Sequence, residues 1–290
     1  MRFGVSTHLV HPDRLKRAHF ESIAAHGFDL VEVFATRTHF DYHDGATVSE
    51  VRRWLDALHL EAGSLHAPIC DGFAHGAWGR AYSNASPDAG HRMEAVHEAE
   101  IAIRAARDLG CGAVVLHLGL PQGQPIPPGD NDPAAMRRSL EPMVEAAATA
   151  RVQLALEVIP NDLATPEALL SLLDGDLELG DAAICLDFGH AHIVGGAPEA
   201  VEALGGYIVT THVHDNRGRN DDHLLPFSGS IDWPLTLTAL YKVGYTGPLV
   251  FEVPDHGDAA RTLDQMVGVR RRLQAILDGL AEPLPFSEEG

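Results

Sequence analysis

Residues able to hold a metal recur through this chain at the ends of short apolar runs. His66 closes SLHAP, His117 lies in VLHLG, Glu157 in LALEVIP, and Asp187 and His190 in CLDFGHAH. Further on come His212 and His214 in THVHDN, Asp221 and His223 in NDDHLLPF, and Glu252 in LVFEVPD. Taken singly, each has an ordinary explanation. A histidine at a strand end is more often a hydrogen-bonded rim residue than a ligand, Asp187 suits a helix cap, and Asp221 and His223 suit a solvated turn. Glu157 and Glu252 are harder to dismiss, because a buried carboxylate without a partner is expensive and the neighbouring runs offer almost no Lys or Arg. Taken together, Glu157, Asp187, Asp221 and Glu252 on one rim would repel one another and raise their pKa values unless a cation sat between them. Mixed carboxylate and imidazole ligation suits Mn²⁺, Zn²⁺, Fe²⁺ or Co²⁺ rather than Ca²⁺, and the lack of thiolate ligands speaks for a catalytic rather than a structural site.

The elements that would position these residues follow from hydrophobic patterning. Short β-rich runs at Phe3–Leu9, Leu30–Ala35, Ala62–His66, Ala113–Leu118, Gln153–Ile159, Ala183–Asp187, Tyr207–Val213 and Pro248–Val253 alternate with helical periodicity. The helical stretches are Pro12–His26, Thr47–Leu58, Ala89–Leu109, Pro133–Ala150, Pro166–Leu173, Pro198–Leu204, Pro234–Lys242 and Ala259–Leu280. Eight strand–helix units with no linker between them predict an α/β fold, a single (β/α)8 TIM barrel over residues 1–281, with 282–290 as a frayed tail. Every ligand-type residue above then lies at the C-terminal end of a strand or in the loop that follows, where barrel enzymes place their chemistry. Two long connections, Pro68–Pro87 and Gly119–Asp132, are expected to cap that face as loops without secondary structure.

Composition narrows the partners. The 290 residues hold 41 acids against 21 Lys and Arg, a net charge of −20 that disfavours nucleic acid and anionic membranes. Cys70, Cys111 and Cys185 are odd in number, far apart and in no CxxC pair, so no disulfide framework is indicated. The first ten residues lack the features of a signal peptide, and no apolar run approaches the ~18 residues of a membrane span. The expectation is a cytoplasmic protein with no membrane partner; homo-oligomerisation is compatible with this composition and not fixed by it. No P-loop or GxGxxG follows a strand, so no nucleotide cofactor is implied.

The ordered set His66, His117, Glu157, Asp187, His190, His212, Asp221, His223 and Glu252 resembles the xylose-isomerase-like TIM-barrel superfamily, which includes ketose 3-epimerases, sugar-phosphate isomerases, inosose dehydratase and endonuclease IV. The resemblance covers nearly the whole chain. In the isomerases and epimerases it implies one divalent metal, Mn or Zn, at Glu157, Asp187, His212 and Glu252. In endonuclease IV the residues matching His66 and His117, and those matching His190, Asp221 and His223, complete a three-zinc cluster, so the ligand types alone allow up to three metals. Other segments separate the branches. His66 is followed by APICDGF, without the bulky or basic residues that endonuclease IV uses on DNA, whereas VEVFATRTHFDYHD and HVHDNRGRNDDHLLPFSGSIDW resemble the sugar-isomerase branch. Where many relatives read GEG before IDW, this chain has Ser228-Gly229-Ser230.

The mechanism these residues suggest is proton abstraction next to a carbonyl. A metal chelated by a carbonyl and a neighbouring hydroxyl acidifies the C–H between them and stabilises the resulting enediolate. Glu157 and Glu252, on the fifth and eighth strands, would take and return the proton on opposite faces. Return to the same carbon epimerises a small sugar or sugar phosphate, return to its neighbour isomerises it, and loss of a β-hydroxyl gives a dehydratase or lyase. His190 with Arg217 or Arg219 would orient substrate oxygens, and Trp78, Phe73 and Phe40 could offer apolar faces. The runner-up is an endonuclease IV-like zinc phosphodiesterase; a metal or sugar binder without turnover ranks last, since binding needs no pair of opposed glutamates.

Overall fold

The computed structural model describes residues 1–281 apart from 124, 176–178 and 256; the expected tail, 282–290, lies outside the described residues. Strands β1 (Arg2–Ser6), β2 (Leu30–Phe34), β3 (Glu61–His66), β6 (Ala113–Leu116), β7 (Gln153–Glu157), β8 (Ala183–Asp187), β9 (Ile208–Val213) and β10 (Pro248–Phe251) close in the order β1-β10-β9-β8-β7-β6-β3-β2. Each is parallel to its neighbours, and the seam is the pairing of Arg2–Val5 with Pro248–Phe251. Helices α1 (Arg17–Ala25), α2 (Gly45–Leu58), α3 (Ala89–Leu109), α4 (Pro133–Ala150), α5 (Pro166–Leu173), α7 (Ala197–Leu204), α8 (Trp233–Lys242) and α9 (Ala259–Ala281) follow the strands. The expected single (β/α)8 barrel is the fold observed.

Several acids of this acidic chain terminate helices. Asp44, Asp88, Asp132 and Asp232 each accept hydrogen bonds from backbone N–H groups of the first turn, at α2, α3, α4 and α8, where negative charge also complements the helix dipole. Part of the −20 net charge is therefore local capping rather than a diffuse field.

Three expectations need correction. The first strand ends at Ser6 rather than Leu9, because Thr7–Val10 winds into a 3₁₀ turn whose His8 amide is capped by Ser6 Oγ. The first helix begins at Arg17 rather than Pro12: buried Leu15 donates its N–H to the His39 carbonyl, and Lys16 stays extended. The connection 68–87 carries a hairpin, β4 (Phe73–Ala74) with β5 (Ala77–Trp78), turned by His75 and Gly76, both at positive φ as a type I′ turn demands. A further helix, α6 (Phe188–Val194), follows β8 directly and was not expected.

The loop after β9 is organised by one buried carboxylate. Asp215 is 0% exposed and accepts hydrogen bonds from the amides of Asn216, Phe227 and Ile231 and from the Trp233 indole, while its backbone pairs with Leu224. Gly229 belongs to this knot, since a Cβ there would lie 2.2 Å from both Asn216 O and Asp215 Oδ1. The Ser-Gly-Ser segment thus has a glycine where the packing requires one. Asp215→Ala should lower unfolding free energy by about 3 kcal/mol, because it strands several buried donors at roughly 1–3 kcal/mol each. Urea unfolding checks this; a loss below 1 kcal/mol would mean that the loop is held by other contacts.

Candidate metal centre

The barrel brings together the nine residues of the ordered set, with His214 beside them. His66, Glu157 and Asp187 are the last residues of β3, β7 and β8, His212 lies on β9, and His117 and Glu252 immediately follow β6 and β10. Side chains alternate along a strand, so residues two apart share a face. Two positions below His117, Glu157 and Asp187 stand Val115, Ala155 and Cys185, which pack with Ala113 as a small-residue layer inside the barrel. These short side chains fill the barrel beneath the longer donors.

Glu157 is the hub. Its Oε2 lies 3.2 Å from His66 Nε2 and 2.9 Å from His117 Nε2, and its Oε1 lies 3.1 Å from His212 Nδ1 and 3.4 Å from His190 Nδ1. His212 Nδ1 is also 3.3 Å from Glu252 Oε2 and 3.6 Å from Asp187 Oδ2. On the other side Asp221 Oδ2 sits 3.2 Å from His190 Nε2 and 2.9 Å from His223 Nε2. Among the described residues, four sets of donor atoms fall within 4.8 Å of one another: His66, His117 and Glu157; His66, His212 and Glu252; Glu157, Asp187, His212 and Glu252; and His190, His214, Asp221 and His223. Asp187 has two tasks: Oδ1 caps α6 through the His190 amide at 2.7 Å, and Oδ2 faces His214 at 2.9 Å. The cap and ligand readings of this residue therefore do not compete.

The imidazole tautomers follow from the partners of the ring nitrogens. His66, His190 and His223 donate Nδ1–H to the carbonyls of Ala67, Val158 and Glu252 at 2.8, 3.1 and 2.8 Å. A carbonyl can only accept, so the proton is on Nδ1 and each Nε2 is left to face a carboxylate. A lone pair opposite a carboxylate is repulsive unless a cation, a proton or a metal, lies between. Carboxylates and imidazoles with their far nitrogens so anchored are the arrangement of a divalent transition-metal centre, and these residues fit one.

The same geometry perturbs the titrations. Burial alone would push Glu157 up, but the imidazoles of His117 and His212 hold it well below the usual carboxylate range. Asp187 and Asp221 are likewise lowered against burial, by His190 and His214 and by His223 and His190. Burial opposes a charge on His190, yet Asp187 and Asp221 raise it well above an ordinary histidine. His223 is pushed up to about 9 against burial, chiefly by Asp221.

Other expected residues stand apart. Arg217 and Arg219 are exposed, and among the described residues no hydrogen bond or ion pair joins either to the cluster. Trp78 is 39% exposed on the β4–β5 hairpin, stacked on His11 at 4.7 Å and edge-on to Phe73 at 4.8 Å. Phe40 is a correction: it is 0% exposed and packs in the hydrophobic core, so it offers no face to a ligand. The two long connections border a cavity of about 50 Å³ beside His117, lined in part by Cys70, Trp78, Tyr82, Asn84 and Leu120. Two buried residues near the cluster, Glu32 and His8, lie outside the set read from the sequence. Glu32 on β2 is 0% exposed and bonded to His212, and its sequence, LVEVF, carries the signal that singled out Glu157 and Glu252, an acid among apolar strand residues. His214, named in the sequence but not part of the ordered set, stacks on His223 at 4.0 Å. His8 is buried, 5.4 Å from the His223 ring.

Residues 20–274 match the family model described as xylose isomerase-like TIM barrel. An uncharacterized protein of Methanocaldococcus jannaschii is 30% identical over 299 aligned residues, covering 99% of this chain and 94% of the relative. Among solved structures, a D-tagatose 3-epimerase-like protein superposes with a TM-score of 0.75 at 26% identity, covering 97% of this chain and all of that one. The IolI protein, solved with a bound zinc atom, superposes with a TM-score of 0.72 at 17% identity over 98% of this chain and all of that one. Among the described residues no helix is long and apolar enough to cross a membrane.

Proton linkage gives a test of the centre. In the absence of metal, the stabilising charge on His223 is fully present below the unfolded value of roughly 6.5 and is lost as pH rises through about 9. A metal must displace that proton and those on His66, His190 and His212, whose pKa values are also raised. Zinc or manganese affinity should therefore climb from pH 7 to pH 9, with proton release seen by calorimetry in buffers of different ionisation enthalpy. An affinity flat across that window would show that the histidines are not ligands.

Proposed function

Because the chain belongs to the xylose isomerase-like TIM-barrel family, we propose that it is a metal-dependent isomerase or epimerase that moves a proton next to the carbonyl of a small sugar or sugar phosphate. The observation that carries this reading is the placement of Glu157 and Glu252 at 3.1 and 3.3 Å from one nitrogen, His212 Nδ1, within a single donor set. The superposition on a D-tagatose 3-epimerase-like protein supports the same class.

Glu157, Asp187, His212 and Glu252 would hold the first metal, Mn²⁺ or Zn²⁺, and His66, His117, His190, Asp221 and His223, joined by His214, offer donors for up to two more. Such an ion supplies Lewis acidity to a carbonyl and an adjacent hydroxyl. The protein side chains divide the rest. Glu157 is engaged by four imidazoles and holds its charge firmly. Glu252 has fewer such contacts, to His212 and, at 4.0 Å, to His223, so it carries the larger share of proton transfer. His190, fixed through the Val158 carbonyl, orients a substrate oxygen. Trp78 and Phe73 form an apolar wall at the mouth, and Arg217 and Arg219, on the loop that carries Asp221 and His223, suit a substrate phosphate or hydroxyl.

The overlapping donor sets favour a second reading, since a one-metal epimerase does not need Asp221 and His223 as ligands. A multinuclear phosphodiesterase of endonuclease IV type would use them. Against it, the basic clusters Arg52-Arg53, Arg137-Arg138 and Arg270-Arg271-Arg272 lie on α2, α4 and α9, outer helices rather than rim loops, and phosphate contacts dominate affinity for DNA. A dehydratase or lyase would share the proton abstraction and differ only in losing a β-hydroxyl.

Protein purified without chelators should carry at least one equivalent of transition metal and catalyse deuterium incorporation next to the carbonyl of one member of a ketose and ketose-phosphate panel. Glu252→Gln should reduce that exchange by at least ~100-fold while lowering metal content less than His212→Ala does. Efficient incision of an abasic-site duplex without exchange into any sugar would reverse the ranking of the two readings.

A further inference from the structure

We propose that Glu32 is a positioning residue of the metal centre, whose buried carboxylate orients His212 so that Nδ1, rather than Nε2, is presented to the ligand set. The inference rests on the reading that the cluster holds a divalent metal.

Glu32 lies in the middle of β2 and is 0% exposed. Its two oxygens lie 3.1 and 3.2 Å from His212 Nε2, and Oε2 also accepts a hydrogen bond from Ser64 Oγ at 2.7 Å. An ionised carboxylate accepts and does not donate, so Glu32 holds the hydrogen on Nε2, and the proton that a metal displaces is the one on Nδ1, whose lone pair then faces the ligand set. That nitrogen is the one within 3.6 Å of Glu157, Glu252 and Asp187. His66, His190 and His223 are wired in the opposite sense, with Nδ1–H on a backbone carbonyl and Nε2 turned inward. The difference follows from geometry. Those three rings are anchored by main chain beside the rim, whereas His212 is anchored from below, across the barrel interior, by a strand that supplies no ligand of its own. Among the described residues no Lys or Arg contacts Glu32. Packing alone would be served as well by an apolar side chain, without the desolvation of a charge, so what the carboxylate adds is directed at His212. It fixes the ring and makes the imidazole a stronger donor, the role that outer carboxylates play for metal-bound histidine.

The test uses zinc affinity of the full chain, measured by competition with a chromophoric chelator, and nitrogen-15 spectra of histidine-labelled, zinc-loaded protein. The expected results are a ~10–100-fold loss of affinity in Glu32→Gln, and in the wild type one imidazole bound to metal through Nδ1 with its Nε2 protonated. That spectral pattern should be lost in Glu32→Ala. In a His212→Ala background Glu32→Gln should have no further effect, because its influence passes through His212. The melting temperature of the metal-free variants monitors folding; if Glu32→Gln does not fold, Ser64→Ala, which removes one anchor of the carboxylate, should give a smaller loss of affinity in the same direction. Unchanged affinity in Glu32→Gln or Ser64→Ala, an equal loss in the His212→Ala background, or Nε2 ligation by every histidine of the wild type would each overturn this inference alone. A wild type that binds no zinc, manganese or cobalt would overturn the metal reading of the whole site as well.

Discussion

Five carboxylates, Glu32, Glu157, Asp187, Asp221 and Glu252, surround the mouth and upper interior of one barrel with imidazoles as their near neighbours. Such a group is unstable as a set of bare anions, because desolvation and mutual repulsion both favour protonation. The structure answers with geometry. Each carboxylate lies against an imidazole, and three of those imidazoles are turned by a backbone carbonyl so that the free nitrogen points inward. Without a divalent ion the balance is kept by protons on histidine, which explains why the pKa values of Glu32, Glu157, Asp187 and Asp221 fall while those of His66, His190, His212 and His223 rise within the same few ångströms. Much of the rim architecture serves this compensation, including the helix that Asp187 begins and the loop that Asp215 ties.

The supports of the donors divide by element. Regular strands place the donors that must not move, Glu157, Asp187 and His212, and pairing such as Asp187 with His212 fixes their register. Asp221 and His223 come from irregular chain, and a loop is a poor platform unless something holds it. Asp215 does so at the loop's root and the Glu252 carbonyl does so at its tip, through His223 Nδ1. The knot that costs the chain a glycine at residue 229 thereby brings Asp221 and His223 to a cluster built mainly on strands.

Much of this was legible in the sequence because the relevant signals are periodic or costly. Strand–helix alternation is long-range and redundant, so the barrel survives errors of a few residues at the boundaries. An acid inside an apolar strand, as at Glu157 and Glu252, stands out because burial without a partner is prohibitive. Glu32 carries the same signal and escaped because it lies mid-strand, below the rim where ligands were sought. The short helix α6 was hidden by its length and by Gly189, whose missing side chain accommodates the His214 ring: a Cβ would sit 2.0 Å from its Cε1. The β4–β5 hairpin was hidden by two-residue strands too brief for any periodicity. The placements of Arg217, Arg219 and Phe40 are tertiary facts, set by which way a loop turns and what packs over it.

The closure of the barrel through β1 and β10 has a consequence for biosynthesis. The donors run from His66 to Glu252, and the four-residue set with Asp187 is not whole until the strand before α9 has been made. A ribosome-bound chain can offer His66, His117 and Glu157 early, yet these rest on β3, β6 and β7, an open sheet whose edges await the partners that follow. A metal held by that four-residue set would therefore mark the completion of the barrel at its seam rather than seed its N-terminal half.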